Sequence, residues 1–193
     1  IQNLHVVFCL DRGGVVGADG PTHHGAYDLA YMRCIPNMVV AAPMDELELR
    51  NMMYTASEKQ SGPFSIRYPR GTGSVVNWRQ PFKAIPIGQG RKLQSGTDVA
   101  ILSVGAIGTQ ATDALDQLKN KGISAAHYDM RFVKPLDEVL LHEVFGKFDA
   151  VITLEDGCLM GGFGSAVTEF MGDNGYKAHV KRLGLGDHYV EHG

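Results

Sequence analysis

Between Asp11 and Gly25 the chain reads Asp-Arg-Gly-Gly-Val-Val-Gly-Ala-Asp-Gly-Pro-Thr-His-His-Gly, with five glycines set among Arg12, Asp19, His23 and His24. Glycine tolerates positive φ and lets the backbone approach a ligand closely. A guanidinium grips an anion through a planar, two-pronged donor set, and an imidazole passes protons near neutral pH. A long loop rich in both glycine and ionisable groups is more often a site than a spacer. Two further arginines stand in Ile66-Arg67-Tyr68-Pro69-Arg70-Gly71. Plainer roles stay open for each candidate. Arg12 could cap a strand end, Asp19 could bond its own turn, His23 could be a structural donor, and Arg70 could pair with a surface acid. His24 suits a channel wall or simple packing. Arg67 falls inside a predicted strand and is expected to be structural.

The elements that must position these groups follow from apolar runs. Strands are expected at His5–Leu10, Met38–Ala42, Phe64–Tyr68, Val99–Val104, Ser124–Met130, Val151–Leu154 and His179–Leu183. Several are continuously apolar, as strands covered on both faces are. Helices are expected at Ala26–Cys34, Asp45–Ser57, Ile107–Asn120, Asp137–Phe145 and Ser165–Met171. Pro43-Met44-Asp45 with Glu46 and Glu48 marks a helix start, and Pro135-Leu136-Asp137-Glu138 repeats that logic. The glycine-rich loop thus leaves the carboxyl end of a strand, where open α/β sheets place ligands. From Gly71 to Pro86 glycine and proline break the pattern, as in an interdomain linker. The half before it holds about three strands and two helices, thin for a doubly wound sheet. Both chain ends read as cut from something longer.

The Gly17, Asp19, Gly20, Pro21, Thr22, His23 pattern resembles the substrate-channel loop of the pyrimidine-binding domain in the transketolase superfamily. Asp11-Arg12 and Gly25-Ala26-Tyr27-Asp28-Leu29 resemble more narrowly the 1-deoxy-D-xylulose-5-phosphate synthases, as do Tyr31–Met38, Ile66–Gly71, Asp129–Asp137 and Met160–Ser165. His24, where glutamine is commoner in that family, and Gly13, where alanine is common, are departures. The resemblance implies an α/β fold in which 1–75 is the C-terminal half of a pyrimidine-binding domain, 76–96 a linker and 97–193 a transketolase C-terminal domain. It implies a transferase that decarboxylates pyruvate and joins the two-carbon unit to glyceraldehyde 3-phosphate, for isoprenoid and thiamine precursors. On this likeness Arg12 and Arg70 bind the substrate phosphate, Asp19 meets the hydroxyl beside the aldehyde, and His23 is catalytic. Thiamine diphosphate and Mg²⁺ are implied for the whole enzyme. Their Gly-Asp-Gly motif and pyrimidine-activating glutamate precede this segment in the family, so the chain alone is expected to hold no cofactor and no metal and to be inactive. A homodimer is implied as well. A transketolase, a 2-oxoacid dehydrogenase beta chain and a stand-alone module that binds a phosphometabolite or dimerises remain as alternatives.

Weaker candidates resolve differently. Gly161-Gly162-Phe163-Gly164 could cradle an anion but reads better as a tight helix entry. It is no dinucleotide fingerprint, because Val167 stands where the third glycine belongs. His188 and His192 have helical spacing without a third ligand, so no metal is expected. Arg131 and Lys134 read as an interface or helix-start motif. The 193 residues are 44% hydrophobic and 20% charged, with net charge −3. No global field therefore draws the chain to nucleic acid or anionic membrane, and no apolar run reaches the ~20 residues of a membrane helix. Cys9 and Cys158 sit in apolar contexts that suit buried thiols. Three cysteines without a C-x-x-C pair suit a reducing, cytoplasmic setting without disulfides.

Overall fold

The computed structural model describes residues 1–58, 62–73 and 77–193. Residues 74–76, which the expected domain end and linker include, lie outside the described residues. Two sheets carry the fold. The first has the order β1-β3-β2-β7, built from β1 (Val7–Leu10), β2 (Val39–Ala41), β3 (Phe64–Arg67) and β7 (Phe132–Lys134). The second has the order β4-β6-β5-β8-β9, built from β4 (Arg91–Gln94), β5 (Val99–Val104), β6 (Ala125–Asp129), β8 (Ala150–Cys158) and β9 (His179–Leu185). Within each sheet the neighbours run parallel except β7 against β2 and β4 against β6. Among the described residues five α-helices connect them: α1 (Asp28–Arg33), α2 (Glu46–Ser57), α3 (Gly108–Asn120), α4 (Glu138–Lys147) and α5 (Phe163–Asp173).

Helix starts follow their caps. The Asp45 carboxylate accepts the Glu48 amide at 2.8 Å and opens α2, and Asp137 accepts that of Leu140 at 2.9 Å and opens α4. Such a cap stabilises a helix by about 1 kcal/mol. Helix α5 begins at Phe163, two residues before its expected start, because the buried Glu155 carboxylate accepts the Phe163 and Gly164 amides at 2.7 and 2.8 Å. An internal carboxylate already fills the Gly161–Gly164 turn, so the anion-cradle alternative falls away.

Two strands lie where none was expected. Arg91–Gln94, inside the stretch expected as linker, forms the polar, largely exposed edge strand β4. Phe132–Lys134 forms β7, which crosses from the second half of the chain to pair with β2 in the first sheet. The Arg131–Lys134 motif therefore joins the two halves. Lys134 Nζ donates to the Arg33 and Ile35 carbonyls at 3.1 and 2.6 Å, and Arg131 grips Glu48 with Nε at 2.7 Å. One apolar core is shared as well: Leu29, Met38 and Val40 pack with Leu102, Met130 and Phe163. The thiol of Cys9 is exposed, contrary to its apolar context, because β1 is an edge strand with one uncovered flank. Cys158 is buried, and all three cysteines are free.

Candidate functional site

Strands β1 and β3 are parallel neighbours in the register Leu10↔Arg67. The loops that leave their carboxyl ends therefore start side by side, and this brings Arg12 and Arg70 together across 58 positions of sequence. The loop after β1 is zipped at its base: the Gly13 amide donates to the Tyr68 carbonyl at 2.9 Å, that of Gly25 to Arg12 at 3.0 Å, and that of Gly14 to Gly25 at 2.9 Å. Gly14 has φ +83°, and a Cβ there would run into the Asp156 carboxylate. Arg12 itself sits at φ +58°, a left-handed conformation uncommon for a residue with a side chain. Such strain concentrates at functional sites and persists where the surroundings over-determine it. Here the paired loop ends do so.

Asp19 closes a short 3-10 turn, Gly17–Asp19, with its amide on the Val16 carbonyl at 2.7 Å. Its Oδ2 accepts from Arg12 Nε at 3.2 Å and from Arg70 Nη1. Arg12 Nη1 also meets Asp11. The hydrogen bonds from Arg70 and then Arg12 hold the Asp19 carboxyl below its ordinary range. Three of the four expected site residues thus share one carboxylate oxygen. His23 stands apart from that contact: it is exposed, and among the described residues its ring is hydrogen-bonded to Thr22 Oγ1 at 3.0 Å. Arg70 also lines a cleft of about 480 Å³ with Tyr68, Leu49, Met44, Thr72 and Thr109, between the starts of α2 and α3.

Arg67 plays a different part. Buried, it pairs with Asp28 at 3.1 Å and donates to the carbonyls of Gly25, at 3.1 Å, and Asp156. It braces the loop base from beneath. His24 fastens the loop from above. Its Nδ1 accepts the Val16 amide at 3.0 Å, and its Nε2 is hydrogen-bonded to the Val190 carbonyl at 3.0 Å. The His192 ring lies against Gly20 rather than in a metal set, and no metal-binding group of three ligands exists among the described residues.

Two acids take on roles that their local sequence does not announce. Asp156, at the end of β8, faces the Gly14–Val15 turn; burial raises its carboxyl pKa, while Arg67, the Val15 amide and His24 oppose that shift. Glu48 gathers Arg91 and Arg131, and Arg91 also meets the buried Asp129 at 3.0 Å. Asp156 lies far along the chain from the glycine-rich loop, and only three-dimensional neighbours reveal the ion pairs of Glu48.

The Gly17–Gly20 turn looks like a metal motif on paper, yet its donor set does not fit Mg²⁺. Two guanidiniums flank Asp19, and a divalent cation seeks several oxygen ligands instead. The Gly17–Gly20 turn, with Asp19 held between Arg12 and Arg70, is therefore not a Mg²⁺ site.

Comparison with known proteins agrees with this architecture. Residues 1–74 match the transketolase pyrimidine binding domain, and residues 88–193 match the transketolase C-terminal domain. The whole chain is 66% identical to the 1-deoxy-D-xylulose-5-phosphate synthase of Cytophaga hutchinsonii, 56% to that of Bacteroides fragilis and 49% to that of Microcystis aeruginosa. It spans about 30% of the length of each of these relatives. A split-gene transketolase, solved as an inactive β4 tetramer, superposes with a TM-score of 0.84 at 34% identity, covering 96% of this chain and 59% of that one. The transketolase of Campylobacter jejuni shares the fold at a TM-score of 0.71 and 19% identity, over 97% of this chain and 28% of its own. With the pyrimidine-binding pattern ahead of the C-terminal pattern, and more than half of its length inside the latter, the chain belongs to the transketolase family.

Proposed function

We propose that this chain supplies the acceptor-substrate region of a thiamine-diphosphate-dependent transferase, a 1-deoxy-D-xylulose-5-phosphate synthase. That enzyme decarboxylates pyruvate and joins the two-carbon unit to glyceraldehyde 3-phosphate. The observation that carries the reading is the meeting of Arg12 and Arg70 at one carboxylate oxygen of Asp19, in a chain similar throughout to such synthases. In this reading the two guanidiniums bind the phosphate dianion. Asp19 accepts the hydroxyl beside the aldehyde, and His23 passes a proton to the oxygen that becomes the new alcohol. Thiamine diphosphate and Mg²⁺ belong to segments outside residues 1–193, so the chain alone binds neither and does not turn over. The inactive β4 tetramer of the split-gene relative suits that view. A homodimeric, cytoplasmic whole enzyme completes the proposal.

The test joins the chain to the segment that precedes it in its relatives and follows single turnovers. Arg12→Ala and Arg70→Ala should raise the aldehyde requirement by roughly tenfold or more while leaving pyruvate decarboxylation intact. An unchanged aldehyde requirement in both variants would refute the assignment.

A further inference from the structure

We infer that Asp19 is a charge filter for the anion subsite, admitting a phosphate dianion and turning away monoanionic carboxylates. The inference rests on the reading of Arg12 and Arg70 as phosphate-binding residues. Asp19 Oδ2 accepts from both guanidiniums, so the protein's own carboxylate stands at the point where they converge. Its place is fixed by the 3-10 turn, through the Asp19 amide on Val16 and the Gly20 amide on Gly17 at 3.0 Å. Arg12 and Arg70 keep 39% and 55% of their side chains exposed against 22% for Asp19. An incoming anion therefore reaches the arginines from the solvent side and must share them with Asp19 or displace it.

That competition favours one ligand class. A free monocarboxylate offers the same single charge and two oxygens as Asp19, but Asp19 is tethered and competes at an effective concentration on the order of millimolar. Exchange gains nothing. A phosphate monoester brings about −1.5 to −2 charges and three acceptor oxygens, enough to engage both guanidiniums at once. Pyruvate is thereby kept out of the subsite meant for the phosphorylated aldehyde, although both anions are present in the same reaction. Once displaced, the Asp19 carboxylate is free to accept a hydroxyl proton from the ligand that displaced it.

The experiment titrates the chain with inorganic phosphate, and separately with acetate, at fixed ionic strength and at a pH where phosphate is mostly dianionic. Arginine Nε–H resonances report binding in the wild type, Asp19→Asn, Asp19→Ser and Arg70→Ala, with circular dichroism confirming the fold of each. The wild type should bind phosphate and show no saturable acetate binding. Both Asp19 variants should bind phosphate about fivefold tighter and should now bind acetate. Unchanged or weaker phosphate affinity in both Asp19 variants, with Arg70→Ala still weakening it, overturns the filter and leaves the phosphate reading standing. Phosphate affinity that also ignores Arg70→Ala overturns both.

Discussion

Arg67→Met asks how much of the loop's position depends on the brace beneath it. The Arg67 and Asp28 side chains are only 4% and 6% exposed, and the guanidinium serves Asp28 and the carbonyls of Gly25 and Asp156 together. Methionine keeps an apolar stem and removes every donor. Among the described residues, Asp28 would then stay buried with only backbone amides to hold it, that of Leu29 at 2.9 Å and its own, and no charged partner from Arg67. Breaking a buried pair from one side costs about 3–5 kcal/mol, a large share of a total near 5–15 kcal/mol. At about 2–4 °C per kcal/mol for a chain of this size, Tm should fall by roughly 6–20 °C. Adding Asp28→Asn removes the stranded charge and should recover about 1 kcal/mol or more.

The pH dependence carries a definite sign. Burial already raises the Asp28 carboxyl above its ordinary 3.8, opposed chiefly by Arg67, and without Arg67 it rises further. A carboxyl whose folded pKa exceeds its unfolded one binds more protons when folded, so stability falls as pH climbs between the two values. The Arg67→Met deficit should therefore shrink as pH drops toward the ordinary carboxylate range. Urea unfolding followed by circular dichroism, at neutral and mildly acid pH, measures both effects. A loss under about 1 kcal/mol, or strict additivity with Asp28→Asn, would refute the brace.

Glu155→Ala strands the buried Phe163 and Gly164 amides at the start of α5 and should cost about 2–4 kcal/mol by urea unfolding, with Glu155→Gln in between. A neutral outcome would deny the internal cap. Asp129, raised to about 6 by burial, with Glu48 adding to the shift and Arg91 and Arg131 opposing it, binds more protons folded than unfolded. Its contribution to stability should thus fall as pH rises from about 4 to 6, and Asp129→Asn should flatten that part of the profile. Coincident slopes for the two proteins would contradict the shift.

The sequence displays the elements whose cause is local. Apolar runs, several of them continuous, mark the seven expected strands, and Asp45 and Asp137 mark helix starts through caps that act within three residues. Strand β4 escapes because Arg91-Lys92-Leu93-Gln94 is a polar edge, and β7 because three residues owe their strand form to a partner some ninety positions back. The glycine-rich loop advertises itself by composition, and the meeting of Arg12 with Arg70 follows from parallel neighbours β1 and β3. What fixes the loop does not show in its own residues. Asp156, Val190 and His192 reach it from more than a hundred positions away, and no local pattern encodes such contacts.

Calorimetric titration of glyceraldehyde 3-phosphate into the chain, with Arg12→Ala, Arg70→Ala and the double variant, tests the shared-dianion site most directly. Two guanidiniums gripping one phosphate predict a loss of roughly tenfold or more for each single variant. The double variant should then lose clearly less than the product of the two, since either removal already dismantles the grip. Affinity that ignores both arginines, or two losses that multiply cleanly as for separate sites, would contradict it.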